Sequence, residues 1–193
     1  MATTPSLARL LPAFGNAMVA YHRGTAQHSE RVGSDARAIG VELRLPDDDL
    51  EILHWAGLLH DVGKLSVPEE ILNKLDPLSP EDWITVRRHC AVGSDLLLTI
   101  SPGLGPIAAA VRSHHERFDG SGYPDGLVGT AIPLHGRIVA VADVFDALTH
   151  PRSYRPRAYE ATDAMEHLTS ASGRLYDPDV VEAFRRMRLS AAR

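Results

Sequence analysis

Apolar residues recur at three- and four-residue spacing along most of the chain, and alternating strand-like runs are nearly absent, so the period dictates an almost wholly helical fold. A first helix is expected from Leu7 to Tyr21. In the next, from about Thr25 to Leu43, Val32, Ala36, Ile39 and Leu43 form an inward stripe that His28 shares. Pro46 followed by Asp47, Asp48 and Asp49 opens a helix through Leu53, Ala56, Leu59 and His60, which Gly63 is placed to end. A short helix around Pro68 to Lys74 follows. Ser79-Pro80-Glu81-Asp82 then predicts a capped start for one helix that carries His89 and continues to Leu96–Leu98. Pro102 to Pro106 breaks the chain before a helix ending at His114-His115. Glu116 to Pro133 is the longest irregular stretch, glycine-rich and of a length usually kept for function. Helices return at Leu134 to Thr149, at Tyr159 to Ala171 and at Val180 to Leu189, the last capped by Asp177 with Pro178 at its first position.

A chain of 193 residues can bury one substantial core, so residues 1–193 are read as a single domain. Hydrophobic residues at 44% and charged residues at 23% exclude the disordered and membrane classes. Cys90 is the single cysteine, which fits a reducing compartment. Arg9, Pro12 and Asn16 interrupt the apolar stretch from Ser6 to Tyr21, which therefore does not read as a leader. No segment is long and apolar enough to span a bilayer, and a cytoplasmic location is expected. A net charge of -5 argues against binding nucleic-acid polymers, so an anionic substrate must meet locally clustered positive charge.

The chemistry concentrates around His60-Asp61, with Lys64 four residues after the histidine. Neighbouring helical residues point about 100° apart, so this pair can face two metal ions with the carboxylate bridging them. His28, His89 and His114-His115 come from three other predicted helices, and Asp143 from a further one. A helical bundle can gather such groups at its centre. Asp143 lies between Val141-Ala142 and Val144-Phe145, where an acid is costly to bury without a partner. Mixed imidazole and carboxylate donors suit iron, manganese or zinc better than calcium. His22, His54, His135, His150 and His167 lack comparable company and are set aside.

The ordered set His28-Ser29-Glu30-Arg31-Val32, Leu59-His60-Asp61-Val62-Gly63-Lys64, His114-His115-Glu116-Arg117-Phe118-Asp119-Gly120-Ser121-Gly122-Tyr123-Pro124, Ala142-Asp143-Val144-Phe145-Asp146-Ala147-Leu148-Thr149 and Arg152-Ser153-Tyr154-Arg155 resembles the HD-GYP subgroup of the HD-domain phosphohydrolases. The resemblance runs from about Thr25 to Phe184. It implies an all-α HD-domain bundle with a long glycine-rich loop, which hydrolyses cyclic di-GMP to the linear dinucleotide or GMP. By position, His28, His60, Asp61 and Asp143 match the ligands of one metal. Asp61, His89, His114 and His115 match those of a second, Asp61 bridging, with iron or manganese expected. Lys64 matches a lysine facing the metals, Arg152 and Arg155 match substrate-phosphate contacts, and Gly122-Tyr123-Pro124 matches a loop beside the substrate cleft and available to protein partners.

One departure stands out. Some members hold a third metal with a glutamate four residues before the first histidine ligand, and here that position is Gly24. Two metals are therefore expected. The sensory or receiver domain that often accompanies such modules is not seen, so regulation is expected from elsewhere. Two rival readings are a cyclic di-GMP-binding or protein-interaction domain with little turnover, and a phosphohydrolase of another nucleotide.

Overall fold

The structure, a computed structural model, describes residues 23–74, 76–151 and 157–191. The expected helix from Leu7 to Tyr21, and Arg152 and Arg155, lie outside these described residues. Among the described residues the helices are α1 (Arg23–Glu42), α2 (Asp47–Leu59), α3 (Glu69–Leu72), α4 (Pro80–Arg87), α5 (His89–Ile100), α6 (Gly105–Ser113), α7 (Leu134–Thr149), α8 (Ala161–Ser170) and α9 (Pro178–Ala191). Extended pairing is limited there to the isolated bridges Asp119 with Val128 and Ser172 with Tyr176. The all-α expectation holds. No helix of the described residues is long and apolar enough to cross a membrane.

Helix α7 is the central element and packs on α1, α2, α6, α8 and α9. Its sequence explains why: Ile138, Val139, Ala140, Val141, Ala142 and Phe145 are all buried, so it is apolar on nearly every side. Val32, Ala36 and Ile39 of α1 and Leu53, Ala56 and Leu59 of α2 close over it as the stripes predict. Asp177 starts α9 by accepting the Asp179 N–H at 2.8 Å, and Arg137 of α7 pairs with the same carboxylate. Ser79 and Asp82 form the reciprocal cap read from the sequence, at the start of α4.

Two boundaries differ from expectation. The single helix expected from Pro80 to beyond Leu96 is two, broken at Arg88, so that His89 begins α5 instead of riding within one long rod. Gly63 does not stop α2, which ends at Leu59; it lies inside a 3₁₀ turn, Val62–Ser66, pressed against α5. That contact has no room for a side chain, as a methyl group on Gly63 would lie 1.9 Å from His89 O and 2.6 Å from Gly93 N.

A candidate metal centre built on helix ends

Three of the expected site histidines stand where a helix finishes. The last carbonyls of a helix have no partner within it. His60 Nδ1–H donates to Gly57 O at the end of α2, His89 Nδ1–H to Val86 O at the end of α4, and His114 Nδ1–H to Val111 O at the end of α6, each at 2.7 Å. A carbonyl only accepts, so Nδ1 of each ring carries a proton, which leaves Nε2 as the atom that faces inward. His114 Nε2 lies 3.4 Å from His89 Nε2, and His114 and His60 have donor atoms within 4.8 Å of each other. His28 makes the equivalent arrangement with a carboxylate, its Nδ1–H donating to Asp146 Oδ2 at 2.6 Å while Nε2 lies 3.1 Å from Asp143 Oδ1.

These groups form a continuous cluster. Ring centroids of His28 and His60 are 5.1 Å apart, His60 and His114 5.2 Å, His89 and His115 5.2 Å, and His114 and His115 4.1 Å. Asp61 sits in the middle, Oδ2 3.3 Å from His60 Nε2 and Oδ1 3.5 Å from His89 Nε2. Lys64 Nζ donates to Asp61 Oδ2 at 2.7 Å, so the lysine expected to face the site does reach it. Donor atoms fall within 4.8 Å of one another in three groups: His28, His60 and Asp143; His60, Asp61 and His114; and His89, Cys90, His114 and His115.

The electrostatics leave a surplus of electrons at the centre. Burial pushes the Asp61 carboxyl up, yet Lys64 and His60 outweigh it and hold it well below the ordinary range. Asp143 is likewise held low, the bond to His28 and the neighbouring His60 overcoming burial. Burial lowers His89 and His114, and brings His115 down to about 3, so these rings stay neutral at pH 7. Two acceptors, His89 Nε2 and His114 Nε2, then face each other at 3.4 Å. His60 Nε2 and Asp61 Oδ1 are buried with no hydrogen-bond partner at all. Orphaned buried acceptors are costly and call for an explanation, and a cation among them supplies one. The cluster is able to bind metal.

Three residues here were not singled out from the sequence. Asp146 receives His28, the Arg31 guanidinium (Nη2 at 3.0 Å) and His150 Nδ1 at 3.1 Å; burial raises its pKa, but His28 and Arg31 bring it down to about 2. Its signal was the i, i+3 spacing from Asp143, which puts both acids on one face of α7. His150, set aside for lack of company, has it after all. Asp146→Asn is expected to weaken metal binding at the His28 end by about 10- to 100-fold, the usual cost of losing the partner that orients a ligand histidine; isothermal titration with Mn²⁺ measures it.

Glu116 is the second. Its buried carboxylate accepts N–H groups from Asp125 (2.7 Å), Gly126 (3.1 Å) and Leu127 (3.2 Å) and folds the glycine-rich loop back on itself. Arg112 of α6 grips the same loop through two 2.7 Å bonds to Asp125. Within the loop, Gly122 packs on the backbone of Arg117, and the Tyr123 ring lies 4.9 Å from His115, with its N–H donating to His115 O at 3.2 Å. Pro124 is exposed beside it. Glu116→Ala would orphan three backbone donors and cost about 2–3 kcal/mol; urea unfolding, with faster amide exchange at residues 125–127, is the readout. The third is Cys90, fully buried against His89, whose thiol burial pushes up.

A helical bundle whose core presents histidine and aspartate from α1, α2, α5, α6 and α7 defines a class, and the family comparison agrees: the HD domain family model matches residues 15–180, and the chain belongs to that family. Within it, the ordered His60-Asp61 and Gly122-Tyr123-Pro124 motifs resemble the HD-GYP subgroup. The chain is 42% identical to the cyclic di-GMP phosphodiesterase response regulator RpfG of Xanthomonas campestris over 86% of its own length and 44% of that protein. It is 41% identical to 3'3'-cGAMP-specific phosphodiesterase 1 of Vibrio cholerae, over 83% of this chain and 37% of that one. The fold matches an HDG"Y"P protein of Bdellovibrio bacteriovorus with a TM-score of 0.67 at 20% identity, covering 84% of this chain and 51% of the other. The chain spans less than half the length of the curated relatives it matches.

Proposed function

We propose that this chain is a metal-dependent phosphodiesterase that hydrolyses cyclic di-GMP to the linear dinucleotide, GMP, or both. The observation that carries the reading is the set of Nε2 lone pairs turned inward around two ionised carboxylates, with His60 Nε2 and Asp61 Oδ1 left without hydrogen-bond partners. His28, His60, Asp61 and Asp143 would hold one ion, and Asp61, His89, His114 and His115 a second, iron or manganese suiting mixed nitrogen and oxygen donors. Such a pair supplies an acidified water and charge neutralisation on phosphoryl oxygens.

The chain's own residues do the rest. Lys64, anchored to Asp61 at 2.7 Å and partly exposed, sets a positive charge at the edge of the centre where a phosphate would approach. Tyr123 and His115 form an aromatic wall on which a purine can stack. Arg152 and Arg155 are proposed to grip phosphate on the strength of their place in the family pattern. The Gly122-Tyr123-Pro124 segment offers a surface for protein partners, and the proposed setting is the cytoplasm, in keeping with the free, buried thiol of Cys90.

Cyclic di-GMP is favoured by the 42% identity to RpfG, while a related cyclic dinucleotide is favoured by the 41% identity to a 3'3'-cGAMP-specific enzyme. Purified chain loaded with Fe²⁺ or Mn²⁺ and incubated with each dinucleotide, followed by chromatography, decides between them. Linear dinucleotide or GMP is expected from cyclic di-GMP. Tight binding without product, in both metals, would make this a binding module.

A further inference from the structure

We propose that Cys90 can take the place of Asp61 at the His89, His114 and His115 end of the cluster, giving a set of three imidazoles and one thiolate that takes zinc or cobalt(II) in closed four-coordinate form. The proposal rests on reading the cluster as a metal centre and goes beyond it in naming a donor and a metal preference. Cys90 follows His89 on α5 and is 0% exposed, its Sγ 3.5 Å from His89 Nε2. His89 Nε2 is in turn 3.4 Å from His114 Nε2, and all four donors lie within 4.8 Å of one another.

Those two spacings match the edges of a tetrahedron. With bonds of about 2.05 Å to nitrogen and about 2.3 Å to sulfur, a tetrahedral ion separates two nitrogens by about 3.4 Å and a nitrogen from a sulfur by about 3.6 Å. Packing alone asks only that a small apolar group fill the space; it does not ask for sulfur at ligand spacing from a ring whose lone pair points inward. A thiolate is a soft donor and shifts preference from iron and manganese toward zinc, the thiol proton leaving to solvent as the metal–sulfur bond forms. Four protein ligands leave no open position, as in structural zinc sites, so zinc held here opposes hydrolysis.

Titrating metal-free protein with Co²⁺ while recording absorption tests this. Expected is a sulfur-to-cobalt charge-transfer band in the near ultraviolet, together with the strong visible absorption of four-coordinate cobalt. Cys90→Ser and Cys90→Ala should bind cobalt without the charge-transfer band and lose about 10-fold or more in zinc affinity, since even the loss of an outer partner costs that much. Wild-type protein that binds cobalt with no sulfur band would remove Cys90 from the ligand set and leave the metal centre standing. Wild-type protein that binds no cobalt would overturn both. The wild-type spectrum decides even if a variant fails to fold.

Discussion

Asp61→Asn should lower hydrolysis of cyclic di-GMP by about 10³-fold or more, equivalent to about 4 kcal/mol of transition-state stabilisation, and should reduce the metal retained after purification. The side chain keeps its shape but loses its charge. One oxygen lies 3.3 Å from His60 Nε2 and accepts Lys64 at 2.7 Å, while the other, without a hydrogen-bond partner, lies 3.5 Å from His89 Nε2. An asparagine turns one of these acceptors into a donor and halves the negative charge that Asp61 and Asp143 together offer a cation. Lys64 then faces a neutral amide. Product chromatography and elemental analysis read the two effects separately. Wild-type turnover with wild-type metal content would exclude Asp61 from the centre, whereas retained metal without turnover would confine its role to chemistry.

Gly63→Ala is the larger test of the fold. The added methyl would sit 1.9 Å from His89 O and 2.6 Å from Gly93 N, both backbone atoms that cannot rotate away. Separating the 3₁₀ turn from α5 should cost about 3 kcal/mol, lowering the melting temperature by about 10 °C for a chain of this size. The strain falls on His89 and so should also weaken metal binding. Gly105→Ala is the internal control, because nothing lies within 4 Å of a methyl there and the residue starts α6. It should be neutral or stabilising by a few tenths of a kcal/mol, through the unfolded chain. Equal melting temperatures for the two variants would mean the turn can move off α5 freely.

Much of this was readable in the residues. Helix α7 has the ends its periodicity predicts, Leu134 and Thr149, because its apolar run begins after Pro133 and its packing agrees with its propensity. The histidines and acids expected to converge do converge, since each belongs to an apolar stripe that has nowhere to go but inward. The break at Arg88 was not readable. No glycine or proline marks it, and the local sequence from Trp83 to Leu98 is compatible with one helix. At the break the His89 ring takes the Val86 carbonyl at 2.7 Å, a contact that no local pattern announces. Asp146 escaped notice for a different reason: its partner His28 is 118 residues away, and only packing of α1 on α7 joins them.

The three helix ends that finish on histidine also set the thermodynamics of loading. A side chain that must be ordered on binding gives up rotamer entropy, and coupled folding gives up far more. Here the backbone has already fixed His60, His89 and His114 through the carbonyls of Gly57, Val86 and Val111. An arriving ion therefore meets a preorganised cage. Uptake should show a small heat-capacity change and an unaltered far-ultraviolet circular dichroism spectrum, the opposite of a zinc finger that folds around its metal. The helices hold the rings in place before any ion binds.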